Sequence, residues 1–513
     1  VVVGYGSKKK VNLTGSVDAI DNEELESRPV QDAFQALQGV SPGLNISYSE
    51  GGALNVEPEV NIRGVGTIGQ GSTGSPLVLI DGMEGDLSSI NPQDIDNISI
   101  LKDAAASSIY GSRAPFGVIL VTTKSGKEGE VKVNYNSNFR LSTPLNLPDV
   151  MDSYTFAIFM NDASENAGWG DIFSEERMER IKKYQEGTFE PTTIKEPNTN
   201  KWGDGYDYGN ANVDYYQVFY QQWAPQHEHN FSVSGGSEKT TYYVSANYLD
   251  QEGLIAWGGD HFQRLTTTVK TNTQIKEWLT LKSNTRYIDK DHSQPSHLRD
   301  QLFEDMARQI WPTKPLYDPN GNLFDDHVLG LRDGGRLETD GKQFHQQVSL
   351  VISPTDHWNF YAEANYRRNE THRQRSVDTY YQLDVDGNPG NMWNTNTSLS
   401  ENQYFDNYFH NNIYTEYEKT LNDLHNIKVM AGFQSEHTRA GDAPRRQDAP
   451  GQHTNHGHHH DLELSEQIRL FPGRCRWPDV SDPQRVGLHW QHFCRRARVQ
   501  VGPCEHLLVV DQL

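Results

Sequence analysis

The sequence predicts two bodies in series: a small α+β domain, then a transmembrane antiparallel β-barrel. Three observations carry this. From Val11 to Gly126 short apolar strands mix with helical stripes. Beyond Glu128 the apolar period becomes two. That period recurs in segments of about ten residues, the length a tilted strand needs to cross a bilayer.

The elements follow in order. Residues 1–10 open with three valines, then Gly4, Gly6 and a lysine run, and read as an extended, flexible segment. Residues 11–127 form the mixed domain. In RPVQDAFQALQG, Pro29 sits near a helix start, Val30, Phe34 and Leu37 share one stripe, and Gly39 is the stop. VEPEVNIRG, PLVLIDG and GVILVTTKSG read as strands, the last two apolar enough to be buried on both faces. In ILKDAAASSIYGSRAPFG a strand ends at Leu101, a short helix runs from about Ala104 to Tyr110, Gly111 stops it, and Val118–Thr123 is the next strand. Because GSRAPFG follows a helix, its amides do not present a helix N-terminus to a phosphate.

Residues 128–438 carry the alternation. VKVNYNSNFR puts Val131, Val133, Tyr135 and Phe139 on one face, with Lys132, Asn134, Asn136, Asn138 and Arg140 on the other. TTYYVSANYLD, LTLKSNTRYID, WNFYAEANYRRN and HNIKVMAGFQSE repeat the pattern. Strands of this length fit a barrel whose apolar face meets lipid, whereas sandwich strands run to about five or six residues. Tyr248, Trp278, Tyr287 and Trp358 suit aromatic girdles. SEERMERIKKYQEG reads as a loop helix capped by Ser174, with Glu176/Arg180 and Glu179/Lys183 pairs and Gly187 as its stop.

Composition narrows the function. A net charge of -23 provides no basic field for nucleic acid. No apolar run is long enough for a transmembrane helix, and a start at VVVGYG suggests a mature product or a fragment. The three cysteines, Cys475, Cys494 and Cys504, leave the first 474 residues without a disulfide framework or a cysteine zinc site. DVDGNPGN, from Asp384, fails as a calcium loop because Pro389 and Thr395 stand where Gly and Glu are needed. DPNGN at Asp318 reads as a hairpin turn. No Walker loop, nucleophile elbow or HExxH occurs, and pairs such as Asp325 and Asp326 read as solvated loop carboxylates. The expectation is therefore no catalytic residues, no metal and no cofactor. Residues 439–513 form an atypical tail, rich in arginine and histidine, that resembles a shifted reading frame.

Dense motifs then point to a family. VVVGYGSKKKVNLTGSV, ALQGVSPGLNI, NIRGVGTIG, PLVLIDG, INPQDIDNISILKDAAASSIYGSRAPFGVILVTTKSGK and HNFSVSGGSEKTTYYVSANYLDQEGLI resemble, in order, the SusC/RagA-type TonB-linked outer-membrane transporters of Bacteroidota. The resemblance implies a plug at 11–127 inside a 22-stranded barrel, of which 128–438 supplies only a first part with long extracellular loops. It implies a TonB-coupling segment at Val1, Val2, Val3, Gly4 and Tyr5, although the acidic residue usual just before it is absent. It singles out as plug-motif positions Arg63, Gly64, Asp81, Gly82, Lys102, Asp103, Tyr110, Gly111, Arg113 and Gly117. Implied partners are TonB, a SusD-like surface lipoprotein, outer-membrane lipid and a glycan or peptide substrate, in the outer membrane of a Gram-negative bacterium. The rival expectation is a soluble carbohydrate-binding or structural β protein with a small α/β domain.

Overall fold

In the computed structural model, residues 17–26, 28, 30, 32–48, 54–64, 74–103, 110, 113–421 and 425–448 are described, with short strands at 2–3, 6–7 and 469–471. Strands β1 (Val2–Val3) and β2 (Gly6–Ser7) pair with each other. The N-terminal domain holds β3 (Val17–Asp21), α1 (Asn22–Glu26), α2 (Ala33–Leu37), β4 (Leu44–Ser47), β5 (Glu59–Ile62), β6 (Leu77–Ile80), β7 (Met83–Glu84), β8 (Ile95–Leu101) and β9 (Val118–Thr123). One sheet has the order β3-β8-β9-β6-β7, and β4 pairs with β5 in a second. β9 occupies the predicted residues and is buried on both faces, as its apolar run requires. α2 starts later than Pro29 implied: Asp32 is its N-cap, accepting from the Gln35 amide at 2.9 Å. The predicted helix at 104–110 and its stop at Gly111 lie outside the described residues, apart from Tyr110.

The main apolar core, from Ile20 through Leu37, Ile62 and Ile98 to Val121, and a second cluster around Leu77, Leu101 and Val118 both belong to this domain alone. The domain is thus a body in its own right. Its described apolar bridge to the rest is small: Leu54 against Leu249 and Phe262.

The second body is a wall of antiparallel strands: β10 (Gly129–Ser142), β11 (Ala224–Gly236), β12 (Thr240–Glu252), β13 (His261–Lys276), β14 (Leu279–Pro295), β15 (Arg336–Thr355), β16 (Trp358–Val377), β19 (Ser398–Leu421), β20 (His425–Asp448) and β21 (Arg469–Phe471). The hairpin β17 (Tyr380–Leu383) and β18 (Pro389–Trp393) stands apart in a loop. The long strands run from 13 to 24 residues, longer than the expected ten. Backbone pairing continues past the point where the apolar alternation stops, so the alternation marks the bilayer crossing and not the strand. β20 likewise runs across the expected break at residue 438 to Asp448; residues 449–468 and 472–513 lie outside the description.

Sorting of the two faces decides what kind of wall this is. Val131, Val133, Tyr135 and Phe139 point outward and are 60–69% exposed. Register aligns Val133, Val233, Val244 and Val269 in one outer row across four strands. The inner face buries Glu228, Asn230, Asn247, Arg264, Arg286, His345 and Asn365 instead. An apolar outside with a polar inside is the inverse of a soluble sandwich and is what a lipid-facing barrel requires. Trp278 and Trp358 lie at short hairpins on the same rim, exposed, where an aromatic girdle belongs.

On the opposite rim the long connections fold into a body of their own, with α3 (Ser153–Asn166), α4 (Glu175–Gln185), α5 (Tyr215–Phe219), α6 (Asp300–Arg308) and α7 (Asp326–Asp333). α4 is the helix predicted, with the Ser174 cap and both ion pairs in place. Tyr215, Phe219, Leu302, Met306 and Val328 form one small core of this body, and Ala157, Phe173 and Ile181 form another.

Candidate functional site

The N-terminal domain meets the inner face of the wall along a polar seam, and the seam is built from turns. Asp81 and Gly82 join β6 to β7, both with positive φ (51° and 89°). Two left-handed residues in a two-residue hairpin make the turn for which Asp-Gly is preferred. This places the Asp81 carboxylate at the tip of the domain. It accepts from the Thr123 amide (2.9 Å) and hydroxyl (2.7 Å) on its own side, and from Asn284 Nδ2 (3.0 Å) on the wall. Lys270 Nζ lies 3.0 Å from its Oδ2 and also donates to the Thr123 carbonyl at 3.0 Å. Gln347 donates to the Asp81 carbonyl at 3.0 Å.

The next turns extend the seam. Asp86 caps the turn at Leu87–Ser89, accepting from the Ser88 amide (2.8 Å), and pairs with Lys290 at 3.2 Å. Arg264 donates to the Ser88 carbonyl. Asp94, buried, accepts from Tyr243 (2.7 Å) and Ser245 (2.8 Å), both neutral groups of β12. Asn91 donates to Asn230 of β11, which also accepts from Asn247. On the far side Arg113 pairs with Glu436 of β20, and Arg367 donates to the Glu84 carbonyl at 3.0 Å.

Burial acts on all three carboxylates, with different outcomes. For Asp81 it works to raise the pKa, but Lys270 and the Thr123 hydrogen bonds outweigh it and hold the group below its ordinary value. Asp86 behaves alike, with Lys290 and Ser88 overcoming burial. For Asp94 burial wins over the Tyr243 and Ser245 hydrogen bonds, and the pKa lies above the ordinary value. A full cation at the carboxylate makes the difference.

The positions singled out in the sequence scatter over several roles. Asp81 with Gly82 and Arg113 reach the wall. Lys102 turns inward to Asp18 and the Pro42 carbonyl. Arg63 and Gly64 both have positive φ (60° and 91°) at the end of β5, with the Arg63 amide bonded to the Gly43 carbonyl at 2.7 Å. Tyr110 packs against the cluster of Leu77, Leu101 and Val118, and Asp103 follows β8 half-buried. Gly117 has φ of 99°, and a Cβ there would stand 2.8 Å from the Leu101 carbonyl oxygen. Gly111, Val1, Gly4 and Tyr5 lie outside the described residues, and Val2 and Val3 form β1.

Sequence reasoning missed Asp86, Asp94, Lys270 and Lys290. The signal available was weak: a charged residue on the polar face of an alternating strand, and an Asp opening a turn. Among the described residues, Asp325, Asp326 and His327 are close enough to share a cation. Lys314 already supplies one: its Nζ lies 3.0 Å from Asp325 and 3.1 Å from His327 Nδ1 and contacts Asp326. Asp325 is fully buried against Lys314 and is not the solvated loop carboxylate expected; these carboxylates hold the loop body together. The Asp384 loop is likewise a turn, its Oδ1 accepting from the Asp386 (3.0 Å) and Asn388 (2.8 Å) amides.

Residues 9–118 match the family described as TonB-dependent Receptor Plug Domain. TonB-dependent receptor P39 of Formosa agariphila is 27% identical over 441 residues, covering 84% of this chain and 38% of that protein. TonB-dependent receptor SusC of Bacteroides thetaiotaomicron is 31% identical over 329 residues, covering 62% and 28%. The RagAB peptide importer in its open-open state superposes with a TM-score of 0.69 at 23% identity, over 92% of this chain and 53% of that one. The chain thus spans well under half the length of the curated relatives it matches. Residues 9–118 are therefore a TonB-dependent receptor plug domain, and with its partial β-barrel wall the chain is similar to receptors of SusC/RagA type.

Proposed function

We propose that the intact protein imports a nutrient across the outer membrane in a TonB-dependent manner, with the plug as the gate and an oligosaccharide as cargo. One observation carries the gating reading. The plug has its own apolar core, yet it is fixed to the wall mainly by side-chain hydrogen bonds and ion pairs. Such a seam can part while both bodies stay folded. The lumen supplies no oil to replace, and the freed groups can be solvated.

Val1 to Tyr5 is the proposed TonB-coupling segment. A short β-branched stretch can add to a sheet edge through main-chain hydrogen bonds. The long connections opposite the short hairpins are the proposed seat of a SusD-like lipoprotein. Enzymatic activity forms no part of this reading, since the named relatives are receptors.

The test is growth of a deletion strain on a panel of neutral glycans, acidic glycans and peptides as sole carbon sources. Loss on one class names the cargo, and unimpaired growth on all of them rejects the import reading. Removing Val1–Tyr5 from the complete protein should abolish uptake with normal membrane insertion. Undiminished uptake would remove the coupling assignment.

A further inference from the structure

In a chain of net charge -23, three arginines gather without carboxylates at the rim of the long connections. Arg373 and Arg375 follow Arg367 along β16 with the same parity, so they share the inner face from which Arg367 reaches the plug. Arg299 precedes α6. Arg299 and Arg373 are exposed, and both act electrostatically on Arg375. Arg375 Nη2 donates to the Ser296 carbonyl at 3.1 Å, and its Nε is buried without a hydrogen-bond partner. Among the described residues no carboxylate lies within 4.0 Å of these three guanidiniums. Asp406 is taken by Arg367 (2.8 Å) and Asp260 by His292 (2.9 Å), while Asp340 and Glu401 face outward with His372 between them. Deeper on the inner face, Lys270 and Lys290 each meet an aspartate. The rim leaves its cations free.

We infer that Arg299, Arg373 and Arg375 form a capture site at this rim, and that the oligosaccharide it takes carries carboxylate or sulfate groups. The inference rests on the import reading above and adds the charge of the cargo. Like charges held together repel, so an anion placed among them is attracted by all three. The planar fork of a guanidinium also matches the paired oxygens of an oxyanion. Arg373 and Arg375 are two positions apart on one face, about 7 Å, so acidic groups can be held in succession along the strand.

The neighbours suit a sugar. Register sets Arg373 against Thr339 and Asn402, Arg375 against Ser400, and Thr371 against Tyr404, whose side chain is 47% exposed. Hydroxyls and a carboxamide can bond ring hydroxyls, and an open aromatic face can lie on a sugar ring. His297, packed edge-on to Tyr380, adds no charge at neutral pH: burial, then Arg299 and Arg375, hold it below its ordinary pKa.

The experiment uses the complete protein in its own outer membrane. The deletion strain is grown on oligogalacturonate and other carboxylated glycans, on sulfated galactans, on neutral glycans and on peptides. Growth should be lost on a carboxylated or a sulfated glycan, and which of the two is lost names the acidic group. Arg299→Gln with Arg373→Gln, both at exposed side chains, should then lower uptake of that glycan at limiting concentration roughly tenfold, with the amount of folded barrel unchanged. Should the pair insert poorly, Arg373→Gln is read alone, and Arg373→Lys should recover part of its loss. Arg368→Gln removes an equal charge from the outer face of β16 and should leave uptake as it is.

Undiminished uptake in the glutamine variants overturns the site. A deletion phenotype confined to neutral glycans or to peptides overturns the acidic cargo and leaves import standing. A deletion strain with no phenotype removes import itself, so the failures are distinguishable.

Discussion

The two flanks of the plug solve the same problem differently. At β13 and β14, acidic turns meet lysines: Asp81 with Lys270, and Asp86 with Lys290. At β11 and β12, Asp94 and Asn91 meet Tyr243, Ser245 and Asn230, beside a cavity of about 440 Å³. One flank is latched by full ion pairs, and Asp94 and Asn91 on the other meet neutral hydrogen-bonding groups. The lesson is that a plug must be held tightly enough to seal and loosely enough to move. Dividing ion pairs and neutral contacts between two strand groups is one way to meet both demands.

The comparison breaks most readily at the latch. Asp81→Ala leaves Lys270 buried against the Thr123 carbonyl with its charge unmatched, and should destabilise the seated plug by about 3–5 kcal/mol. Chemical denaturation of the purified protein would measure this, and adding Lys270→Met should recover most of the loss. If Asp81→Ala costs no more than a surface substitution, the latch does not exist. Lys290→Met removes a less enclosed partner, because Asp86 keeps its Ser88 hydrogen bonds, and should cost roughly 1–3 kcal/mol.

On the other flank the effects should be smaller. Asn230→Ala removes a neutral acceptor from Asn91 and Asn247, but the adjoining cavity can hydrate the freed groups. A cost of about 0.5–1.5 kcal/mol is expected, and a loss equal to that of Asp81→Ala would erase the distinction between the flanks.

Asp94→Asn sharpens the contrast through pH. The folded pKa of Asp94 is raised, so the folded state holds its proton more tightly than the unfolded chain does. Its contribution is therefore fully present below the ordinary carboxylate pKa and is lost as pH rises through the raised value. The parent should gain stability over Asp94→Asn on acidification through that window. Asp81 and Asp86, with lowered pKa values, lose their contribution only as pH falls further, through those lowered values. A difference between parent and Asp94→Asn that does not vary with pH would show that burial does not govern Asp94.

How far the site could be read in advance depends on the residue. Asp81 and Gly82 were legible only as motif positions at the end of a strand; that they form a two-residue hairpin, which needs positive φ twice, was not read, although Asp-Gly is the pair that tolerates it. Gly117 was visible as a motif position, but the Leu101 carbonyl that forbids a Cβ there was not. β13 was overlooked because Thr267 and Thr271 dilute its outer face, leaving Leu265 and Val269 too sparse to stand out. With that strand went Lys270.

By itself, the sequence determined the class of each body. Near-continuous apolar strands can be stable only when both faces are covered, and long alternating strands with aromatic ends only when one face meets lipid. Period and composition are local properties, and the chain displays them directly. The pairing of Asp81 with Lys270, separated by 189 positions, and the neutral gap beside Asp94 were decided by the tertiary structure alone. They depend on the rotation and depth of the plug within the wall. No short-range pattern encodes those, since any acidic turn and any inward lysine would look the same until the two bodies are placed together.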